Sequence, residues 1–141
     1  MTTGKLTTLP DHFPSANGRK TLLIVEDNEI LRNSLIDLLK LEGFKILSAE
    51  NGVQALQIME ISPPDLVLSD ISMPIMDGVT FFHTVRTRME WLQIPFIFLT
   101  AFSVKYEIAS AQELLKEKVL IKPVEFDLLL SSIHARLDEA H

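Results

Sequence analysis

The sequence contains no cysteine in its 141 residues, which excludes disulfide staples and thiolate metal sites and leaves the redox compartment open. It also lacks any run of roughly 18 apolar residues, the minimum for a membrane span. The first twenty residues carry no apolar stretch of the secretory type, so a cytoplasmic location is expected. Basic residues are outnumbered, 13 Lys and Arg against 19 Asp and Glu, for a net charge of −6. That balance disfavours nonspecific binding to nucleic acid or to an anionic membrane, and neither is an expected partner. It is compatible with a divalent-cation site. What the sequence does have is apolar side chain: 47% of residues are hydrophobic, enough for one domain with a sizeable core. A chain of this size buries roughly two-thirds of its unfolded surface and needs no staples.

Residues 1–19 are rich in Thr, Ser, Gly, Pro and Asn without periodicity and read as a flexible N-terminal arm. Residues 20–141 read as the domain. Five short β-prone runs punctuate it: Thr21–Val25, Phe44–Ala49, Asp65–Ser69, Pro95–Leu99 and Val119–Ile121. Runs that are apolar throughout suit strands covered on both faces, as in a parallel sheet. Between them lie amphipathic stretches. Ile30, Leu31, Leu35, Leu38, Leu39 and Leu41 mark a first helix, stopped by Gly43. Val53, Leu56, Ile58 and Met59 mark a second, closed by Pro63 and Pro64, and Val79, Phe81, Phe82 and Val85 a third. Val104–Lys116 reads as a fourth, and Phe126, Leu128, Leu129, Ile133 and Leu137 mark the last. A strand followed by a helix, five times over, predicts a doubly wound α/β fold with helices on both faces. Trp91 is expected to be a packing anchor, and Phe81, Phe82, Phe96 and Phe98 core residues. The four histidines share no metal-like spacing.

Ligands of open α/β sheets sit beyond the carboxyl ends of the strands. The first run ends in Glu26-Asp27, the third in Asp70, the fourth in Thr100-Ala101 and the fifth in Lys122-Pro123. The second, ending in Ala49-Glu50, lies off to one side. Three carboxylates in one cleft repel one another unless a cation joins them, and hard oxygen ligands with room for water suit Mg²⁺. A carboxylate beside the cation can act as a nucleophile toward phosphorus. Phosphoryl transfer mainly needs positioning and charge neutralisation. Lys122 supplies a positive charge, Thr100 a hydroxyl donor and the backbone N–H of Ala101 another donor. Any one of these residues alone would read as a cap, a turn or a solvated loop residue. Five groups on one predicted edge do not.

The sequence resembles the receiver domains of response regulators in two-component signalling, from about Lys20 to Asp138. The resemblance is carried by Leu23-Ile24-Val25-Glu26-Asp27-Asn28, by Asp65-Leu66-Val67-Leu68-Ser69-Asp70, and by Met73-Pro74-Ile75-Met76-Asp77-Gly78. Asn51-Gly52 with Ala55-Leu56, Pro95 through Thr100-Ala101, and Ile121-Lys122-Pro123 complete it. The resemblance implies a (βα)5, flavodoxin-like fold with five parallel strands in 2-1-3-4-5 order. It implies that Asp70 is the phosphoacceptor, that Asp27 holds Mg²⁺ directly and Glu26 through water, and that Asp70 and the backbone carbonyl of Ser72 are further metal ligands. Lys122 would pair with the phosphoryl group or, before it arrives, with Asp70, and Thr100 would shift to hydrogen-bond the phosphoryl oxygen. The implied donor is a sensor histidine kinase or a histidine phosphotransfer protein. The implied output is a downstream protein bound through the face of the fourth helix, fifth strand and fifth helix. The domain would be a signalling module rather than an enzyme, promoting only its own phosphorylation and dephosphorylation. Asp77-Gly78 would serve as N-cap and tight turn of the third helix. The given sequence stops soon after the last helix. No DNA-binding output is expected in it, whether it is a standalone receiver or part of a larger regulator or hybrid kinase.

Two features depart from the resemblance, the residues at 118–119 and the acidic pair, which is Glu26-Asp27, a variation that the family commonly tolerates. Lys118-Val119 stands where receivers carry an aromatic switch residue, so a shift of Thr100 and of the loop into the fourth helix is the expected signalling route. Phe102, two residues after the threonine, is bulky and cannot orient water by hydrogen bonding, and Ser72 offers one weakly orienting hydroxyl. A phosphorylated state longer-lived than with an acidic or amide residue at position 102 is therefore expected. Phosphatases of the haloacid dehalogenase type also form an aspartyl phosphate, but they want a carboxylate where Ser72 stands. A flavin-binding module would want a phosphate-cradling loop where Glu26-Asp27 would repel the phosphate. A pseudo-receiver is disfavoured by the presence of all five active-site groups.

Overall fold

The computed structural model describes residues 18–101 and 116–139. Five parallel strands form one sheet in the order β2-β1-β3-β4-β5, with β1 at Thr21–Val25, β2 at Lys45–Ala49, β3 at Leu66–Asp70, β4 at Phe96–Thr100 and β5 at Lys118–Ile121. Four α-helices are described: α1 at Glu29–Leu41, α2 at Gly52–Ile61, α3 at Gly78–Val85 and α4 at Phe126–Glu139. The expected helix over 104–116 falls, but for Lys116, outside the described residues, as do Phe102 and almost all of the arm.

Side-chain alternation on the strands splits the core into two layers. Leu23, Val25, Val67, Phe96 and Phe98 face α2 and α3, where they meet Ala55, Met59, Phe81, Phe82 and Val85. Leu22, Ile24, Leu66, Leu68, Ile97 and Leu99 face the other way and meet Leu35 and Leu39 of α1 and Leu129, Ile133 and Leu137 of α4. The central β3 and β4 are buried at every position, whereas the outer β2 and β5 expose Lys45 and Lys118. The sequence pattern follows from this: only strands covered on both sides are apolar without interruption.

Strand limits differ by a residue from those expected. β3 begins at Leu66 because Asp65 serves as a cap, its carboxylate accepting from the N–H of Thr21 at 2.7 Å. β4 begins after Pro95, which has no N–H to give a ladder, although its carbonyl accepts from Val67. The corresponding extension at the carboxyl ends takes Asp70 and Thr100 into their strands, paired with Leu99 and Ile121. Helix starts obey capping rules: Asn28, Asn51 and Asp77 accept from the N–H of Leu31, Gln54 and Thr80. Gly43 closes α1 with φ 97°, a conformation that favours glycine. Trp91 is the expected anchor, buried in a single 3-10 turn at Met89–Trp91, with the guanidinium of Arg88 4.2 Å above its ring. No described helix is long and apolar enough to cross a membrane.

Candidate functional site

The carboxyl ends of β1, β3 and β5 bring four of the expected residues together. Glu26 and Asp27 follow β1, Asp70 closes β3 and Lys122 follows β5. Glu26, Asp27 and Asp70 each offer a carboxylate oxygen within 4.8 Å of the others. Lys122 Nζ donates to Asp70 Oδ2 at 2.9 Å and to Glu26 Oε1 at 3.0 Å. Glu26 and Asp70 are almost fully buried, whereas Asp27 is exposed.

Each buried carboxylate is held from several sides. Asp70 Oδ1 accepts from the N–H of Ile71 at 2.7 Å and of Ser72 at 3.3 Å. Glu26 Oε2 accepts from the N–H of Asn28 at 3.1 Å, and its carbonyl accepts from Arg32 Nη1 at 2.8 Å. Burial raises the Glu26 carboxyl above its ordinary range, and the charge of Asp70 adds to this, against the lowering pull of Asn28 and Lys122. Burial works against the Lys122 ammonium too, but its bonds to Asp70 and Glu26 outweigh burial and raise it. The two directions fit one picture, in which a single amine serves two carboxylates and keeps its own charge without fully compensating the more buried acid.

The remaining expected residues are near in sequence but differently engaged. Thr100 is fully buried, and its hydroxyl donates to the carbonyl of Ala101 at 3.2 Å rather than to Asp70. Its own carbonyl accepts from the N–H of Lys122 at 2.8 Å, which fixes the lysine's backbone beside β4. Ser72 and Ala101 are exposed. An apolar groove of about 530 Å³ opens beside Lys122, lined by Leu31, Leu35 and Leu38 of α1 and Phe126 and Leu129 of α4.

Two positioning residues, Asn28 and Arg32, have no role assigned from sequence, and a third, Gly78, has a different one. Asn28 could have been given one, as the N-cap it is. Arg32 carries no signal beyond lying one turn into α1. Gly78 was expected to make a tight turn, but its φ is not positive and the reason for glycine is proximity. A Cβ there would lie 2.2 Å from the carbonyl oxygen of Asp70. Its N–H donates to the carbonyl of Ile71 at 2.8 Å, so α3 begins directly against the strand end that carries Asp70.

Three carboxylates and one ammonium leave the cleft two negative charges, and its donors are hard oxygens at a solvent-accessible edge. That set fits a hydrated divalent cation of the Mg²⁺ class better than a soft or thiophilic metal.

Comparisons with known proteins place the chain in one family. Residues 22–134 match the response regulator receiver domain family. A Rhizobium etli relative named "Probable chemotaxis protein CheY" is 39% identical over 115 residues, covering 81% of this chain and 89% of the relative. The polar-differentiation response regulator DivK of Brucella anthropi is 30% identical, covering 86% of this chain and 98% of the relative. The sensor histidine kinase RcsC of Escherichia coli is 35% identical over 87% of this chain, which spans only 13% of that kinase. Among solved structures, the receiver domain of a signal transduction histidine kinase from Syntrophus aciditrophicus superposes with a TM-score of 0.79. It is 28% identical, with 85% of this chain and 91% of that chain covered.

Proposed function

The chain belongs to the response regulator receiver domain family of two-component signalling, and from that premise we propose that Asp70 is its phosphoacceptor, loaded from a phosphohistidine in a Mg²⁺-dependent step. The observation that carries the reading is Lys122 Nζ, bonded at once to Asp70 and Glu26, inside a trio of carboxylates close enough to share one cation.

The chemistry follows from the atoms. An Asp70 carboxylate oxygen attacks phosphorus, an O–P bond forms as the donor's N–P bond breaks, and the imidazole nitrogen leaves with the electron pair. Glu26, Asp27, Asp70 and the carbonyl of Ser72 are the proposed ligands of Mg²⁺, which when bound neutralises charge on the transferring oxygens. The N–H groups of Ile71 and Ser72 hold one Asp70 oxygen, so the carboxylate plane is fixed before the donor arrives. Lys122 already sits on the other oxygen and is placed to follow the charge onto the phosphoryl group. Thr100 and the N–H of Ala101 supply further donors once the Thr100 hydroxyl leaves the Ala101 carbonyl. That rotation is the proposed first step of switching, since Val119 offers no aromatic ring to turn.

The donor is a sensor histidine kinase or a histidine phosphotransfer protein, covering the edge where the apolar groove adjoins Lys122. Output passes through the face that includes β5 and α4 to a protein partner in the cytoplasm. Residues 20–141 form the receiver, preceded by an arm at 1–19, and the domain turns over no external substrate. Incubation with Mg²⁺ and phosphoramidate is expected to add one phosphate by intact mass. Asp70→Ala is expected to add none, and an undiminished yield from that variant rejects the assignment.

A further inference from the structure

Ser69 does not suit the layer of the core that it occupies. It is fully buried, in register with Val25 of β1 on one side and Phe98 of β4 on the other, and Val67 and Ile71 of its own segment lie in the same layer. A hydroxyl among apolar neighbours costs free energy unless it is hydrogen-bonded, and alanine or valine would fill the place without that cost. Its Oγ donates to the carbonyl of Asp70 at 2.8 Å. That carbonyl stands where the sheet gives out. On the β1 side the register ends at Val25, opposite Ser69, and the N–H of Glu26 turns to the carbonyl of Ala49 on β2. The start of α3 crowds the same oxygen, leaving only 2.2 Å for a Cβ at Gly78. The N–H of the same peptide, on Ile71, is shared between Asp70 Oδ1 at 2.7 Å and the carbonyl of Leu99 at 3.2 Å. One peptide plane thus has its oxygen on Ser69 and its N–H on the Asp70 carboxylate.

We propose that Ser69 is a positioning residue for phosphoryl acceptance: it holds the Asp70–Ile71 peptide by its carbonyl, aims the Ile71 N–H at Asp70 Oδ1 and so fixes the carboxylate that attacks phosphorus. The proposal rests on the acceptor reading of Asp70. A peptide is planar, so a tilt at its oxygen is also a tilt at its N–H. Without the Ser69 hydroxyl, the crowded Asp70 carbonyl loses a donor and the plane turns in search of another. That turn takes the Ile71 N–H from Oδ1 toward Leu99, its longer partner. Oδ1 then keeps only the N–H of Ser72, at 3.3 Å, while Lys122 still holds Oδ2. A carboxylate loosened in this way is slower to reach the in-line geometry, although the phosphodonor binds as before. Ser69 is fully buried and acts only through Asp70.

The test uses the full chain with phosphoramidate at saturating Mg²⁺, separating the limiting rate from the apparent KM, together with amide NMR of the isotope-labelled chain. Ser69→Ala is expected to lose about fivefold or more in limiting rate, with KM for phosphoramidate unchanged. Its Ile71 amide proton is expected to move upfield, having lost a short bond to a carboxylate, while that of Val67 stays in place. Threonine and valine share one shape and differ by the hydroxyl. Any cost of added bulk therefore falls on Ser69→Thr and Ser69→Val alike, and their difference reads the hydroxyl alone. Ser69→Thr is expected to be faster than Ser69→Val by about fivefold and to keep the parental Ile71 shift. Limiting rates within about twofold, both between Ser69→Ala and the parent and between Ser69→Val and Ser69→Thr, overturn the proposal. A slowed Ser69→Ala whose Ile71 amide has not moved also overturns it, because the loss is then one of packing. A parent that takes no phosphate from phosphoramidate instead rejects the acceptor reading, and the Ile71 shift then decides by itself whether Ser69 aims the peptide.

Discussion

Asp27 and Glu26 are neighbours in sequence, but the site uses them differently. Glu26 is buried and bonded to Lys122 and to the N–H of Asn28, whereas Asp27 is exposed and makes none of these bonds. A hydrated cation entering from solvent therefore meets Asp27 with its lone pairs free of the lysine. Asp27→Asn is expected to weaken Mg²⁺ binding by about tenfold or more. Glu50→Gln, altered at the exposed end of β2, is expected to leave it within twofold. Calorimetric titration with Mg²⁺ checks this, as does the rise in Tm that Mg²⁺ gives the parent by binding only the folded state. Equal affinities in the two variants would contradict the ligand set. Lys122 supplies a prediction of opposite sign. Its ammonium competes with the metal for Glu26 and Asp70, at 3.0 and 2.9 Å. Lys122→Met removes that positive charge from a cleft of three carboxylates. Mg²⁺ affinity is expected to rise, while phosphorylation by phosphoramidate slows, because the transferring oxygens lose their fixed cation. A variant that loses metal binding and phosphorylation together would show that Lys122 merely holds the site in shape.

At the scale of elements, legibility follows burial. β1, β3 and β4 announce themselves as unbroken apolar runs because both faces are covered. β2 and β5 mix in exposed residues such as Lys45 and Lys118 and read more faintly. The polar ends of the strands were legible for the same reason: Glu26, Asp70, Thr100 and Lys122 interrupt the apolar pattern at one common edge. Contacts set by distance across the fold left no local mark. Nothing around Lys122 in sequence reveals that its amine serves two acids, and nothing around Thr100 reveals that its hydroxyl turns to Ala101. Gly78 is the clearest case. Its sequence context suits a turn, yet glycine is needed because α3 abuts the backbone of Asp70, with only 2.2 Å between a would-be Cβ and the carbonyl oxygen. Backbone cannot yield as a side chain can, so Gly78→Ala must push α3 off the strand end. The expected cost is about 2–3 kcal/mol of unfolding free energy, at the upper end for overpacking. Phosphorylation of Asp70 should slow at the same time. Denaturant unfolding checks the first, and a loss below about 0.5 kcal/mol, the level of an ordinary surface substitution, would mean the helix start adapts freely.

On the scale of the whole molecule, the sheet is polar from end to end, with chemistry at the carboxyl ends and a clamp at the amino ends. The clamp centres on Glu117, just before β5. Its carboxylate accepts from Arg86 at the end of α3, from Arg136 of α4, and from the N–H of Phe96 at 3.1 Å. Arg86 in turn donates to the carbonyls of Trp91 at 3.0 Å and Ile94 at 2.8 Å, tying down the connection into β4. Burial lowers the Arg86 guanidinium from its usual value, although Glu117 opposes the shift. One carboxylate thus joins α3, β4, β5 and α4, from both faces of the sheet. Glu117→Gln keeps the shape and removes the charge that two guanidiniums share. Breaking a fully buried pair costs about 3–5 kcal/mol, but both arginine side chains here remain 20% exposed and water offsets part of the loss. The expected destabilisation is about 2 kcal/mol, a fall in Tm of roughly 4–8 °C for a domain of this size. Since Glu117 lies at the opposite end of β5 from Lys122, Mg²⁺ affinity at 25 °C should stay within twofold of the parent. A Tm lowered by less than about 2 °C would show that the two arginines find other partners and that the clamp holds nothing. An unchanged Tm with altered Mg²⁺ affinity would instead show that β5 transmits the state of its amino end to Lys122.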